Sequence, residues 1–425
     1  MTTLVDRAFI ALVADSSKKG GLSDAEHQAE PANFFRHVGA LTASKIADGL
    51  VDPKLVLSWL LTHLGAGAGV TGMLVPIRES GALLPQLFTA GYVAQMRHRK
   101  WAWVAGATGQ AIAAAGMVLA ALTLSGAAAG WTILALLALL AVSRSVCSVS
   151  FKDILGKTIG SSRRGTVAGA AATVASSVVI IFALLLIWDG FDRFALVVSA
   201  LGIAVIGWIV ASISMASLNE MDSDTGDRPM IPNPWAVLKN SPQLGWFVTA
   251  RSLMVGTALA PPYLVLLSAN GTQEVAEIGG LVLASAVASF LSSYVWGRFS
   301  DRSSRQVLIV AGIAAAIALG LALGLEWLGI ADTVWAMPVV LFGLMIAYHG
   351  VRQGRSTHLV DMADEKDRAD FTAVSNTVVG LFLLGAGAVC SAIATISVPL
   401  VIWVFIVMSI AGSIAAYRLH EVQSD

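Results

Sequence analysis

Gly91-Tyr-Val-Ala-Gln95-Met-Arg-His-Arg99-Lys100 is echoed 206 residues further on by Gly297-Arg-Phe-Ser-Asp301-Arg302-Ser-Ser-Arg305-Gln306. Each stretch leaves one apolar run, gathers basic residues, and enters a second apolar run through an Ala-Gly pair, Ala105-Gly106 in one copy and Ala311-Gly312 in the other. The same offset relates Lys45 to Arg251, and nearly the same offset relates Arg164 to Arg368. A period of half the chain marks a duplicated unit, not a local coincidence.

The material around these stretches is too apolar for a water-soluble surface. Of 425 residues, 56% are hydrophobic and 13% charged, against about 45–50% and about 25% in soluble proteins. Mean hydropathy is +0.76. A bilayer core needs about 20 helical residues per crossing. By that ruler there are twelve spans: 38–62, 71–93, 102–124, 129–150, 166–188 and 194–216 in the first half, then 244–268, 277–299, 307–329, 333–355, 371–394 and 398–418. Six spans separate equivalent elements. Because six is even, both halves share one orientation, related by a pseudo-twofold axis along the membrane normal. The expected fold is an all-α polytopic membrane protein of two parallel-related six-helix bundles. Residues 38–218 and 244–418 form the bundles, 1–37 and 419–425 the tails, and 219–243 the linker.

Lys and Arg set the orientation. One set of loops holds Arg97, Arg99 and Lys100, then Lys152, Lys157, Arg163 and Arg164, then Arg298, Arg302 and Arg305, then Lys366 and Arg368; the opposite set holds Arg193. The basic loops and both termini are therefore expected in the cytoplasm. The amino-terminal stretch has no small-residue cleavage site after its short apolar run and reads as a cytosolic tail. The connector 219–243, with four acids followed by Pro229, Pro232 and Pro234, reads as a flexible linker.

The paired loops resemble the Gly-x-x-x-Asp-Arg-x-x-Arg-Lys/Arg signature after helices two and eight of the major facilitator superfamily. The second copy keeps Gly297, Asp301, Arg302 and Arg305; the first keeps Gly91, Arg99 and Lys100 but carries Gln95 at the usual Asp position. The resemblance, over residues 38–418, implies a secondary transporter that rocks two bundles about a central cavity. In such a protein the loop residues would gate the cytoplasmic side, with topology and headgroup contact as the plainer role for the arginines. Gln95 makes any first-half latch the weaker one.

A charge at mid-membrane costs about 2.5–3.5 kcal/mol on insertion scales, so each one there calls for a reason. Lys45, Asp48 and Asp52, spaced i, i+3 and i+7, share a face of span one, with Asp48 near the midplane. Lys54 lies off that face, beside Pro53. Span two carries Arg78 and Glu79 between Pro76, Gly81 and Pro85, a composition that weakens a continuous helix. Substrate contact is assigned to Arg78, Gln86, Arg144 and Arg251, and proton coupling to Asp48, Asp52 and Glu79. Lys45 and Lys54 are read as ion-pair partners. Internal pairing that only stabilises packing, Lys45 to Asp48 within one helix or Arg78 to an acid across helices, is the competing reading of the whole set, and Arg251 is expected to pair with an acid such as Asp48 or Asp52. His349, Arg352 and Arg355 read as headgroup contacts, and Trp59, Trp101, Trp103, Trp188 and Trp327 as interface anchors.

The remaining readings are mostly exclusions. Cys147 and Cys390 sit in apolar runs and read as buried thiols, so no metal and no cofactor is expected. Zinc-protease, nucleophile-elbow and phosphate-loop motifs are missing, which argues against an enzyme. Nucleic-acid binding has no support. The expected partners are a small-molecule substrate, weakly favoured as an anion or zwitterion, a proton and the bilayer. The expected setting is a bacterial inner membrane, as a monomer. A transporter-like sensor without flux and a drug-proton efflux pump are the alternatives, the latter weakened because span five lacks a Gly-Pro motif near Gly165.

Overall fold

The computed structural model describes residues 9, 22–86, 89, 92–93, 95–160, 163–188, 190–222, 234–268, 277–300, 302–362 and 368–422. Regular structure among them is helical throughout. Span one is Asp24–Leu50 continued by Val56–His63, and span two is Ala68–Gly72 with Leu74–Leu83. Spans three to six are Lys100–Thr123, Gly126–Thr158, Arg164–Ile187 and Arg193–Ala216. Span seven comes in pieces, Pro242–Leu253, Gly256–Leu259 and Pro261–Ser268. Spans eight to twelve are Glu277–Ser300, Ser304–Trp327, Ala336–Met362, Arg368–Ala394 and Val398–Tyr417.

Eight of these passes are long and apolar enough to cross a membrane by length and composition. The other four are spans one, two, eight and ten. Span eight has a shorter apolar core, Ile278–Ser292; the rest are interrupted or charged. Their outer neighbours show what they pack into. Ile206 of span six and Ile317 of span nine are 61% and 68% exposed, a waste of apolar surface in water and the expected face toward lipid.

Span one begins at Asp24, well before the expected position 38. Ser23 caps it, accepting from the Glu26 backbone N–H while the Glu26 side chain accepts from the Ser23 backbone. The added turns pack on the connection between spans four and five. There Glu30, fully buried, accepts from Arg163 Nε at 2.6 Å, from Arg163 Nη2 at 2.6 Å and from the Gly160 backbone at 2.8 Å. Part of the connector is also ordered: Pro234–Asn240 is a short helix, and Asn219 exchanges two hydrogen bonds with Asn33. Residues 223–233 lie outside the described set.

Helix neighbours follow the duplication. Within the first half, span three packs on four and six, six on one, two on four, and one on five. Within the second, nine packs on ten and twelve, seven on twelve, eight on ten, and seven on eleven. Between halves, span two meets eleven and span eight meets five, a pair of contacts that exchange under the same twofold.

The two ends of this seam differ. Away from the basic loops it is shut tightly enough to exclude side chains. A Cβ on Gly72 would lie 2.5 Å from Tyr263 Oη and 2.8 Å from Ser391 Oγ, and one on Gly279 would lie 2.6 Å from Ile187. Toward the basic loops the seam admits solvent, and Lys45 and Arg352 are exposed.

Candidate functional site: a charged cavity between the halves

The charged centre is built where helices break. Pro53 has no N–H to give, so span one opens between Val51 and Leu55. Asp52 fills the gap by accepting from the Lys54 backbone N–H at 2.6 Å, and Ser58 donates to the Pro53 carbonyl at 2.8 Å. In span two, Pro76 cannot donate to the Gly72 carbonyl, and the helix breaks there, at Met73. Span seven breaks at the matching depth, ahead of Pro261. Non-helical backbone at membrane depth is tolerated against protein or a watery cavity, and here it faces both.

Asp48 is the hub. Arg78 Nη2 donates to its Oδ1 at 3.2 Å, and Arg144 Nη1 donates to its Oδ2. Two cations from spans two and four thus converge on one carboxylate of span one. Gly81 lets this happen: a Cβ there would sit 2.8 Å from that of Ala141, so spans two and four touch beside the pair. Of the two pairings read from the sequence, Arg78 with an acid across helices is the one formed, and no Lys45–Asp48 hydrogen bond stands beside it among the described residues. Lys45 instead stands solvent-exposed, within electrostatic range of Asp48, Arg144 and Arg352.

Glu79 faces the other way, into a cavity shared by spans two, seven, ten and eleven. Lining it are Glu79, Arg251, Arg352 and Arg355, with Tyr348, Met254, Thr257 and Leu383 among the rest of the wall. Lys54, Arg78, Arg352 and Arg355 all lie within electrostatic range of the Glu79 carboxylate, as does Arg251. Lys54 reaches across the seam: its Nζ sits 3.6 Å above the Tyr348 ring, a cation–π contact. The cavity measures about 50 Å³, where a single water needs roughly 10–15 Å³. In this state it has room for a few waters and is too small for an organic solute.

Arg251 departs from expectation. In place of Asp48 or Asp52 its partners are neutral side chains of span eleven, Ser375 Oγ at 2.7 Å and Asn376 Oδ1 at 2.9 Å. Its Nε has no hydrogen-bond partner among the described residues. Arg352 and Arg355, read from the sequence as headgroup contacts, line the cavity. Gln86 donates to the Ala82 carbonyl of its own helix at 2.7 Å, outside the cavity wall. Trp101, Trp188 and Trp327 are exposed as anchors should be, whereas Trp59 and Trp103 are buried between helices.

In this state the described residues of the paired basic loops make contacts within their own halves. Arg99 pairs with Asp153 at the end of span four, and Lys157 reaches the same carboxylate at 2.7 Å. Glu220, just after span six, accepts from the Arg99 and Lys100 backbone N–H groups at 3.0 and 2.8 Å. Lys100 Nζ donates to the Ala216 and Leu218 carbonyls. In the second half Glu421, just after span twelve, accepts from Ser303 at 2.6 Å and lies 3.4 Å from Arg305 Nε. An acid following the sixth helix thus fastens the start of the third in both copies, at its positive end. Arg302 is exposed, and Gly297 lies in span eight. Gly91 and Asp301 fall outside the described residues.

The architecture has counterparts among solved structures. The nucleoside transporter NupG, determined as a point mutant, superposes with a TM-score of 0.71 over 90% of this chain and 98% of its own, at 13% identity. This chain shares the fold of that transporter. The D-xylose-proton symporter shares it, with a TM-score of 0.65 over 92% of this chain and 98% of its own, at 10% identity. No family model matches the sequence, and no curated protein matches it either. The likeness is therefore one of fold, and the cavity charges have to be read on their own terms.

Proposed function

We propose that the chain is a proton-coupled secondary transporter of a small organic solute, an anion or zwitterion, working by alternating access between residues 38–218 and 244–418. It moves its substrate unchanged, acts as a monomer in a bacterial inner membrane, and keeps both termini in the cytoplasm. The carrying observation is a cluster of charge, part of it buried, at the seam of a transporter fold. Lys45, Lys54, Arg78, Arg144, Arg251, Arg352 and Arg355 outnumber Asp48, Asp52 and Glu79 there by seven to three. Charges this numerous have a heavy cost in a membrane unless they serve a pathway.

The seam closed at Gly72 and Gly279 and open toward the basic loops corresponds to one end state of such a cycle. Glu79 is the proton carrier, since a carboxylate whose cationic neighbours move away binds a proton more readily. Reconstitution into proteoliposomes with an imposed pH gradient tests this. Gradient-driven accumulation is expected; binding without flux would favour a sensor. The Glu79→Gln variant is expected to lose accumulation and keep counterflow, and loss of both, or of neither, would remove Glu79 from that role.

A further inference from the structure

The second half contributes three guanidinium groups to the cavity and no carboxylate. Arg251 is held by two neutral oxygens and retains an unpartnered buried Nε. Arg352 and Arg355 stand on the facing wall, on span ten. The one acid of the wall, Glu79, comes from the first half. We infer that Arg251, Arg352 and Arg355 form a clasp for the oxyanion group of the substrate, and that the incoming anion takes the place of Glu79, which leaves the clasp with a proton. This rests on the transporter reading and names its substrate class: an organic carboxylate or phosphate that enters together with one proton.

Charge conservation carries the argument further than composition alone. Three arginines and an ionised Glu79 leave two positive charges in the cavity. One singly charged anion bound and one proton on Glu79 leave the same two, whereas a dianion such as succinate or glycerol 3-phosphate matches them only when it enters carrying a second proton of its own. The empty and loaded cavities therefore present equal charge to the low-dielectric interior, and neither end of the cycle adds a charge to the membrane crossing. The proton goes from water to the Glu79 carboxylate, no bond within the substrate changes, and the anion trades its hydration for guanidinium hydrogen bonds. Around Glu79 the other titratable groups include Lys54, Arg78, Arg144, Asp52 and the Tyr348 phenol of the cavity wall. Asp52 accepts from the backbone N–H of Lys54.

The test uses the purified full-length chain in detergent, with lactate, succinate and glycerol 3-phosphate as probes beside their uncharged counterparts lactamide, succinamide and glycerol. Thermal shifts are expected from one or more anions and from none of the neutral compounds, the carboxylates and the phosphate separating the two oxyanion types. The affinity of the responding anion should rise about tenfold per unit fall in pH. Glu79→Gln should bind it with that pH dependence gone. Arg251→Gln and Arg355→Gln should each bind it about tenfold or more weakly. Equal binding of neutral compounds, silence from all three anions, or a flat pH profile in the unmodified chain would overturn the clasp. Because binding needs no flux, anion binding without uptake would uphold the clasp and count against transport. Uptake confined to neutral solutes would do the reverse.

Discussion

Asp48 balances two guanidinium groups at once, and its loss would leave both facing each other across a half-buried gap. Breaking a fully buried pair costs about 3–5 kcal/mol, but Asp48 and Arg144 are 20% and 39% exposed, so water screens part of that. Asp48→Asn is expected to lower stability by about 1–3 kcal/mol, read as a fall in unfolding temperature in detergent. The added change Arg78→Gln should restore part of the loss, and a double variant no better than the single one would deny Asp48 its bridging role. The position of Asp48 was legible in the sequence, because depth and face follow from the helical rise and repeat. Of its partners, Arg78 was legible only as pairing with an unnamed acid across helices, and Arg144 was not foreseen as one. Lys45 is visible as a neighbour three residues away, whereas Arg78 and Arg144 become neighbours through the packing of three helices. Arg352 and Arg355 were misjudged for a related reason: sequence places them at the end of a span, and side-chain direction decides between headgroup and cavity.

Breaks and close approaches decide which elements can bring these side chains together. Gly81→Val would insert two methyl groups where a single Cβ already comes within 2.8 Å of Ala141. Overpacking of that kind costs about 1–3 kcal/mol, and here it should also part Arg78 from Asp48. A Gly81→Val protein with unchanged unfolding temperature would show that the two spans do not meet there. The buried Glu30–Arg163 pair gives a sharper case, at 0% and 1% exposure. Glu30→Ala leaves a buried guanidinium without its acid and is expected to cost about 3–5 kcal/mol, measured by the same unfolding assay. A loss under about 1 kcal/mol would mean that water replaces the carboxylate. The interruptions in spans one and two could be read from Pro53 and Pro76, since a missing N–H acts locally. The Glu30–Arg163 contact could not, as it joins a presumed tail to a loop. Early capping at Ser23, through Glu26, was the available signal for the longer first helix.

The duplication was the most legible feature of the whole molecule, because a repeated loop survives in the sequence when the helices around it have diverged. Pairing of helices within each half and across the seam then matches the twofold. The state of the seam, shut at one end and open at the other, has no such trace, since the same sequence must serve both. Gly72→Val is expected to hold the shut end apart, because Tyr263 and Ser391 already crowd that position. In a variant with Ser391→Cys and the native cysteines replaced, labelling by a membrane-impermeant maleimide should rise several-fold when Gly72→Val is added. Unchanged labelling would place the closure elsewhere.

Glu421 lies beyond the last crossing, in a stretch that protein engineers commonly trim or fuse to a purification handle. Cutting before it would take the anchor from Ser303 and Arg305 at the start of span nine, with an effect felt more than a hundred positions upstream. Shortened versions of this chain should therefore end after Glu421, and reporter fusions belong behind a spacer that leaves it free to fold back.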